Sequence, residues 1–134
     1  MASDDTSVIY FITSRRRSDG AVKIGLSSRG SLLRRFSQIQ VSMADPMNAL
    51  LVLEGSADQE AGLHELYASS RLNGEWFEQS QDLMELIAEL AELDPWWRED
   101  FGVGPRWSVP PIVTKKQLSQ FSYRDRPRFY RLAA

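Results

Sequence analysis

Glu60 and His64 stand four residues apart, and Tyr67 and Arg71 continue the series at i+7 and i+11. On a helix turning about 100° per residue, these four share one narrow polar stripe. Leu63 and Leu66 lie beside it and are expected to bury. A polar stripe flanking a buried face is how the wall of a site is built. The carboxylate offers oxygen to a hard divalent cation, and the imidazole, the only one in the chain, titrates near neutral pH. A surface ladder of i, i+4 pairs would use the same spacing. A second helix carries Arg34 and Arg35. Leu32, Phe36 and Ile39 form its apolar stripe at i, i+4 and i+7. Arg35 falls at the edge of that stripe and Arg34 points away, so periodicity selects Arg35 as the partly inward arginine.

The elements that must position these groups can be read in outline. Residues 8–13 are apolar, β-branched and aromatic, which predicts a strand. The polar stretch 14–20 ends in Asp19-Gly20, a hairpin signal, and residues 21–25 pair back as a second strand. Ser31 can cap a helix to about Gln40, and Asp45-Pro46 marks a loop. The continuous apolar run 49–53 reads as a buried central strand. A helix from about Ala57 to Ser69 follows, with Ser56 as its cap. Asn73-Gly74 is a turn and residues 75–78 are a short strand or extended segment. A third helix, roughly 81–92, buries Leu83, Leu86, Ile87, Leu90 and Leu93 and turns Asp82, Glu85, Glu89 and Glu92 to solvent.

Order and spacing together resemble the GIY-YIG nuclease superfamily. The matching pieces are Val8-Ile9-Tyr10, Lys23-Ile24-Gly25, the helix arginine, Glu60-x-x-Leu63-His64 and Gly74-Glu75-Trp76-Phe77. The closest likeness is to the branch whose second signature reads K-I-G. Val8 replaces the first signature's glycine, and Lys23 replaces the second signature's tyrosine. The resemblance implies an α+β fold: a small three-stranded antiparallel sheet flanked by helices over residues 1–93, with residues 94–134 as an extension. It also implies a metal-dependent DNA endonuclease of phage or mobile-element style. Tyr10 is then the general base or the group that orients the attacking water, serving if the metal-bound water is already acidified or if neighbouring Arg35 and Lys23 lower its pKa. Lys23 binds phosphate or shares the proton handling. Arg35 stabilises transition-state charge. Glu60 holds one Mg²⁺ or Mn²⁺ ion, and His64 touches phosphate, orients Glu60 or shuttles a proton. Glu75 is a supporting residue for Arg35 or Lys23, Gly25 answers backbone crowding or a positive φ, and Trp76 and Phe77 are core.

Composition bounds the setting. The chain has 134 residues and no cysteine, which excludes disulfides and thiolate metal sites. No apolar run approaches the ~18 residues of a membrane span. The N-terminus lacks the basic lead and apolar core of a secretion signal, so a cytoplasmic setting is expected. Net charge is −2 but segregated. Residues 1–40 hold seven basic against three acidic groups, residues 41–100 two against fourteen, and residues 101–134 seven against one. The basic ends are candidate phosphate contacts: Arg15, Arg16 and Arg17, then Lys115, Lys116, Arg124, Arg126 and Arg128, the last group interleaved with aromatics. A charge run is equally a solvated face. Two other readings stay open. The chain could be a nucleic-acid-binding or protein-docking module that keeps the fold but cuts poorly, with Trp96, Trp97 and Trp107 in the extension as a partner surface. It could also be a small α/β scaffold unrelated to nucleic acid.

Overall fold

The computed structural model of the chain describes residues 5–14, 21–43, 47–91 and 112–119. Strand β1 (Ser7–Ser14) pairs antiparallel with β2 (Val22–Ser28), setting Tyr10 opposite Gly25 and Ile12 opposite Lys23. On its other side β1 pairs antiparallel with β3 (Met47–Glu54), with a bulge that shifts the register between Phe11 and Ile12. β3 is buried from Met47 through Leu53, as a strand covered on both faces must be. The hairpin turn and the Asp45-Pro46 loop lie outside the described residues.

The sheet has five strands in the order β3-β1-β2-β5-β4, which corrects the expectation of three. The additions are β4 (Arg71–Asn73) and β5 (Trp76–Phe77). β4 is too short to show the alternation that marks a strand in sequence, whereas β5 falls within the 75–78 stretch read as a short strand or extended segment. Gly74 turns between them at φ +56°, and Arg71 Nε donates to the Gly74 carbonyl at 2.6 Å. β5 meets β2 only at Val22 and Lys23, so the outer edge of β2 is unpaired by strand from Ile24 onward.

Helices cover both faces. Helix α1 (Leu32–Ser42) follows a short 3-10 turn and buries Leu32, Phe36 and Ile39 against Val8, Tyr10, Ile12 and Val52. The opposite face carries α2 (Ala57–Leu66) and α3 (Gln81–Ala91). α3 inserts Leu83, Leu86, Ile87 and Leu90, each worth about 1.5–3 kcal/mol of burial. α2 is different, since Leu63 is its one buried residue. Its start is held by a reciprocal box in which Ser56 accepts from Gln59 N and Gln59 caps Ser56 N, a device worth about 1 kcal/mol.

Three details depart from the sequence expectation. α2 ends at Leu66, with Tyr67 as its cap, so Arg71 lies on β4 and leaves the helical stripe. Leu66, the last residue of α2, is 36 % exposed and is not buried beside Leu63 as expected. Glu89 is half-buried, whereas Asp82 and Glu85 are exposed as expected. Residues 112–119 return to the sheet. Val113 bridges Leu53 in parallel, with Val113 N donating to the Val52 carbonyl and Glu54 N to the Val113 carbonyl, both at 2.9 Å. Helix α4 (Lys115–Leu118) then places Leu118 in the core beside Val113. Among the described residues no helix is long and apolar enough to cross a membrane.

Candidate active site

Gly25 has no side chain, and the phenol of Tyr10 lies over it across the β1–β2 pair. A Cβ at that position would collide with Cζ and Oη of Tyr10. The need for glycine is therefore crowding and not backbone conformation, since Gly74 is the described glycine with positive φ. Phe36 of α1 fixes the other side of the ring, edge-on at 5.6 Å and 82°. Tyr10 is only 2 % exposed, yet its phenol borders a cavity of about 460 Å³.

Lys23, Arg35, Glu60 and Glu75 line the same cavity. Lys23 is two residues from Gly25 and shares its face of the sheet. Its Nζ meets Glu75 Oε1 at 3.0 Å and sits 5.4 Å from the centre of the Trp76 ring. Glu75 thus supports Lys23, one of the two partners expected for it. Arg34 and Arg35 are both exposed, so burial does not make Arg35 the inward one, but Arg35 lines the cavity from α1 and Arg34 does not. Gln38, Ile39 and Ser42 line it too. They lie at i+3, i+4 and i+7 from Arg35, a helical stripe that periodicity could have picked out.

Glu60 and His64 come from α2, packed at the free edge of β2. His64 Nε2 is 2.9 Å from the Ile24 carbonyl, and Ile24 N donates to the Glu75 carbonyl at 2.9 Å. One strand residue therefore anchors both α2 and the chain leading into β5. Nothing in a sequence marks an isoleucine for such a role, because only its backbone acts. The His64 ring also packs edge-on against Phe77 at 5.1 Å. His64 is not among the residues lining the cavity, but ligand-capable atoms of Glu60, His64 and Glu75 lie within 4.8 Å of one another.

Electrostatics differ from expectation at Tyr10. Its pKa is pushed up to about 12, first by burial and then by the Glu75 carboxylate. Arg35 pulls it down, and Glu60 adds a smaller upward push. The cations do not win: with the phenol packed under Phe36 and two carboxylates nearby, its ionised form is disfavoured. The carboxyl of Glu60 is likewise held above the ordinary range, by burial first and the Glu75 charge second, against the opposing pull of His64 and Lys23. Glu60 Oε2 is buried and has no hydrogen-bond partner among the described residues. A buried, unsatisfied carboxylate oxygen next to a second carboxylate fits a divalent cation, which would meet the missing interaction.

The basic-end residues are not brought to this cavity among the described residues. Lys115 and Lys116 are exposed on α4, beyond β3 and so across the sheet from the free edge of β2. Arg15, Arg16, Arg17, Arg124, Arg126 and Arg128 lie outside the described residues, as do Trp96, Trp97 and Trp107.

No curated protein and no solved structure matches the chain. The family model described as the T5orf172 domain matches residues 7–98. That family is associated with phage and mobile-element nuclease-like proteins. The match spans every element from β1 to α3, including all the residues that line the cavity. The chain belongs to the T5orf172 domain family.

Proposed function

We propose that the protein is a metal-dependent DNA endonuclease of the GIY-YIG kind, hydrolysing a phosphodiester in the cavity between α1 and α2. The observation that carries this reading is the gathering of Tyr10, Lys23, Arg35 and Glu60 on one cavity from four separate elements. A phenol, an ammonium, a guanidinium and a carboxylate are the groups such a reaction uses. Bound at Glu60, Mg²⁺ or Mn²⁺ would supply Lewis acidity toward the phosphate and acidify a water.

Arg35 presents a planar fork to two non-bridging phosphate oxygens and meets the negative charge that grows on them. Lys23, steadied by Glu75, adds a point charge on the same side. Tyr10 places the water. Its phenol, protonated at neutral pH, has lone pairs that accept a hydrogen bond from the attacking water and hold it in line. Full deprotonation of Tyr10 is not required for that role, and a pKa of about 12 disfavours it in the unloaded protein. The water oxygen bonds to phosphorus as it gives up a proton to solvent, the bond to the leaving oxygen breaks with its electron pair, and that oxygen takes a proton from solvent. His64, tied to the Ile24 carbonyl, acts beside Glu60 and not on the phosphate.

The test is nicking of supercoiled plasmid with Mg²⁺ or Mn²⁺, comparing the wild-type protein with Glu60→Ala. Loss of nicking in the variant supports the enzyme. Equal nicking by both sinks it. A chain that binds DNA but nicks with neither metal is the poorly cutting module, a reading the compact acidic middle of the sequence also accommodates.

A further inference from the structure

A single glutamate is a spare way to hold a divalent ion, and the surroundings of Glu60 offer more than that. We infer that Glu60, His64 Nδ1 and Glu75 form a three-ligand site that takes a nitrogen-accepting divalent ion, Mn²⁺, in preference to Mg²⁺. The inference rests on the hydrolase reading in taking this cavity as the seat of a metal ion, and it adds two ligands and a selectivity.

The first support is the tautomer of His64. A carbonyl oxygen only accepts, so the 2.9 Å contact with Ile24 makes Nε2 the protonated nitrogen. Nδ1 then carries the lone pair. Metal-binding imidazoles are held in this way, with the far nitrogen donating to a carbonyl or carboxylate that fixes ring and tautomer. The edge contact with Phe77 restrains the plane of the ring further. The second support is mutual placement. One ligand-capable atom of each side chain, for His64 a ring nitrogen, lies within 4.8 Å of the others, so small side-chain rotations would let Nδ1 and the two carboxylates share one ion. Glu60 and His64 are one turn apart on α2, and Glu75 is tied through its carbonyl to the amide of Ile24, whose own carbonyl holds His64. The third support is the buried Glu60 Oε2, which lacks a hydrogen-bond partner among the described residues.

The ion pair with Lys23 uses Oε1 of Glu75. A carboxylate has two oxygens and can serve an ammonium and a metal ion together. Two carboxylates balance the charge of a dication, and the neutral imidazole sets the preference. Mg²⁺ favours oxygen and retains its waters, whereas an imidazole suits the later first-row ions and is accepted by Mn²⁺.

The experiment uses the full chain without DNA. Mn²⁺ and Mg²⁺ are titrated separately by calorimetry into the wild-type protein, His64→Gln and Glu75→Gln. The Mn²⁺-loaded wild-type protein is then examined by electron spin-echo spectroscopy for coupling to ¹⁴N. Wild-type protein is expected to bind Mn²⁺ about tenfold more tightly than Mg²⁺. His64→Gln should weaken Mn²⁺ by about tenfold or more and leave Mg²⁺ nearly unchanged, while Glu75→Gln weakens both. An imidazole ¹⁴N signal supports the site without relying on any variant's folding. Mn²⁺ bound with no ¹⁴N coupling, equal affinity for the two ions, or no binding at all overturns it. The outcome is separable from that of the hydrolase reading. Nitrogen-coupled Mn²⁺ with no nicking leaves this site standing and removes the enzyme. Nicking with no nitrogen coupling leaves the enzyme with Glu60 as its ligand.

Discussion

The phenol of Tyr10 occupies the space that a side chain at Gly25 would fill, so the two residues form one unit across the β1–β2 pair. The glycine does not serve a turn. It lets an aromatic ring lie flat on the strand beside it and carry its hydroxyl to the cavity.

Gly25→Ala is therefore expected to push the ring out of place. Overpacking of this kind costs about 1–3 kcal/mol. Tyr10→Phe keeps the ring and removes only Oη, so urea unfolding should shift by less than about 1 kcal/mol while nicking falls about a hundredfold. If Tyr10→Phe nicks like the wild-type protein, the water-placing role is wrong. If Gly25→Ala is as stable as the wild-type protein, the packing argument fails.

Arg35 and Arg34 are neighbours in sequence with different surroundings. Arg35→Lys preserves the charge but not the planar fork, and nicking is expected to drop by about 10²-fold, the scale of one lost transition-state donor. Arg34→Ala should leave the rate nearly unchanged. Plasmid nicking at saturating metal measures both, and a reversed order would mean that periodicity chose the wrong arginine.

Glu60 carries a sign that stability can read. Its carboxyl pKa is raised in the folded protein. The folded state therefore holds the proton more tightly than the unfolded chain does. The resulting stabilisation is full below the ordinary glutamate value of about 4.3 and is lost as pH rises through the raised folded value. Above that, the charged carboxylate burdens the fold. Glu60→Gln should accordingly melt higher than the wild-type protein near neutral pH without added metal, and the advantage should vanish in acid. Saturating Mn²⁺ should raise the melting temperature of the wild-type protein and have little effect on the variant. Thermal melts across pH 4 to 8 test this, and a difference that does not change with pH would contradict it.

Two truncations separate fold from nucleic-acid binding in the extension. Ending the chain after Ser119 keeps Val113 and Leu118 in the core. It removes Arg124, Arg126 and Arg128, so DNA affinity should weaken and its dependence on salt should flatten if those residues contact phosphate. Ending it after Pro111 removes both buried residues, each worth about 1.5–3 kcal/mol, and should lower the melting temperature with or without DNA. An unchanged salt slope in the chain that ends at Ser119 would remove the tail from the DNA interface.

Long periodic segments were legible in the sequence. Leu32, Phe36 and Ile39 face inward at the spacing read for α1, and the apolar run within Met47–Glu54 is a strand buried on both faces. What escaped was short or non-local. β4, at three residues, has no room for a pattern, and although 75–78 read as a short strand or extended segment, the pairing of β5 with β4 and β2 depends on the turn at Gly74 and on the folded sheet. The stripe through Glu60 and His64 held for one turn and then broke, because α2 ends at Leu66 and sends Arg71 into a strand. The Tyr10 pKa rises where lowering by Arg35 and Lys23 was one of the two conditions for its role as base, and the reason is physical. The sequence places Arg35 and Lys23 near the phenol, but burial and the carboxylates of Glu75 and Glu60 outweigh the pull of Arg35, and those contributions depend on distances that only the folded chain has. The part played by Ile24 lies wholly in its backbone and leaves no trace in residue type.

The return of Val113 to the outer side of β3 has a consequence for how the protein is made. Ribosomes release β3 long before residues 112–118, so the newborn sheet waits with one flank bare. That flank is among the most apolar stretches in the chain, and a bare strand of this kind invites pairing with a neighbouring copy. Synthesis that stalls before residue 112 should therefore yield a less stable protein that clumps more readily, because the stretch around Val113 is the clasp on that flank among the described residues.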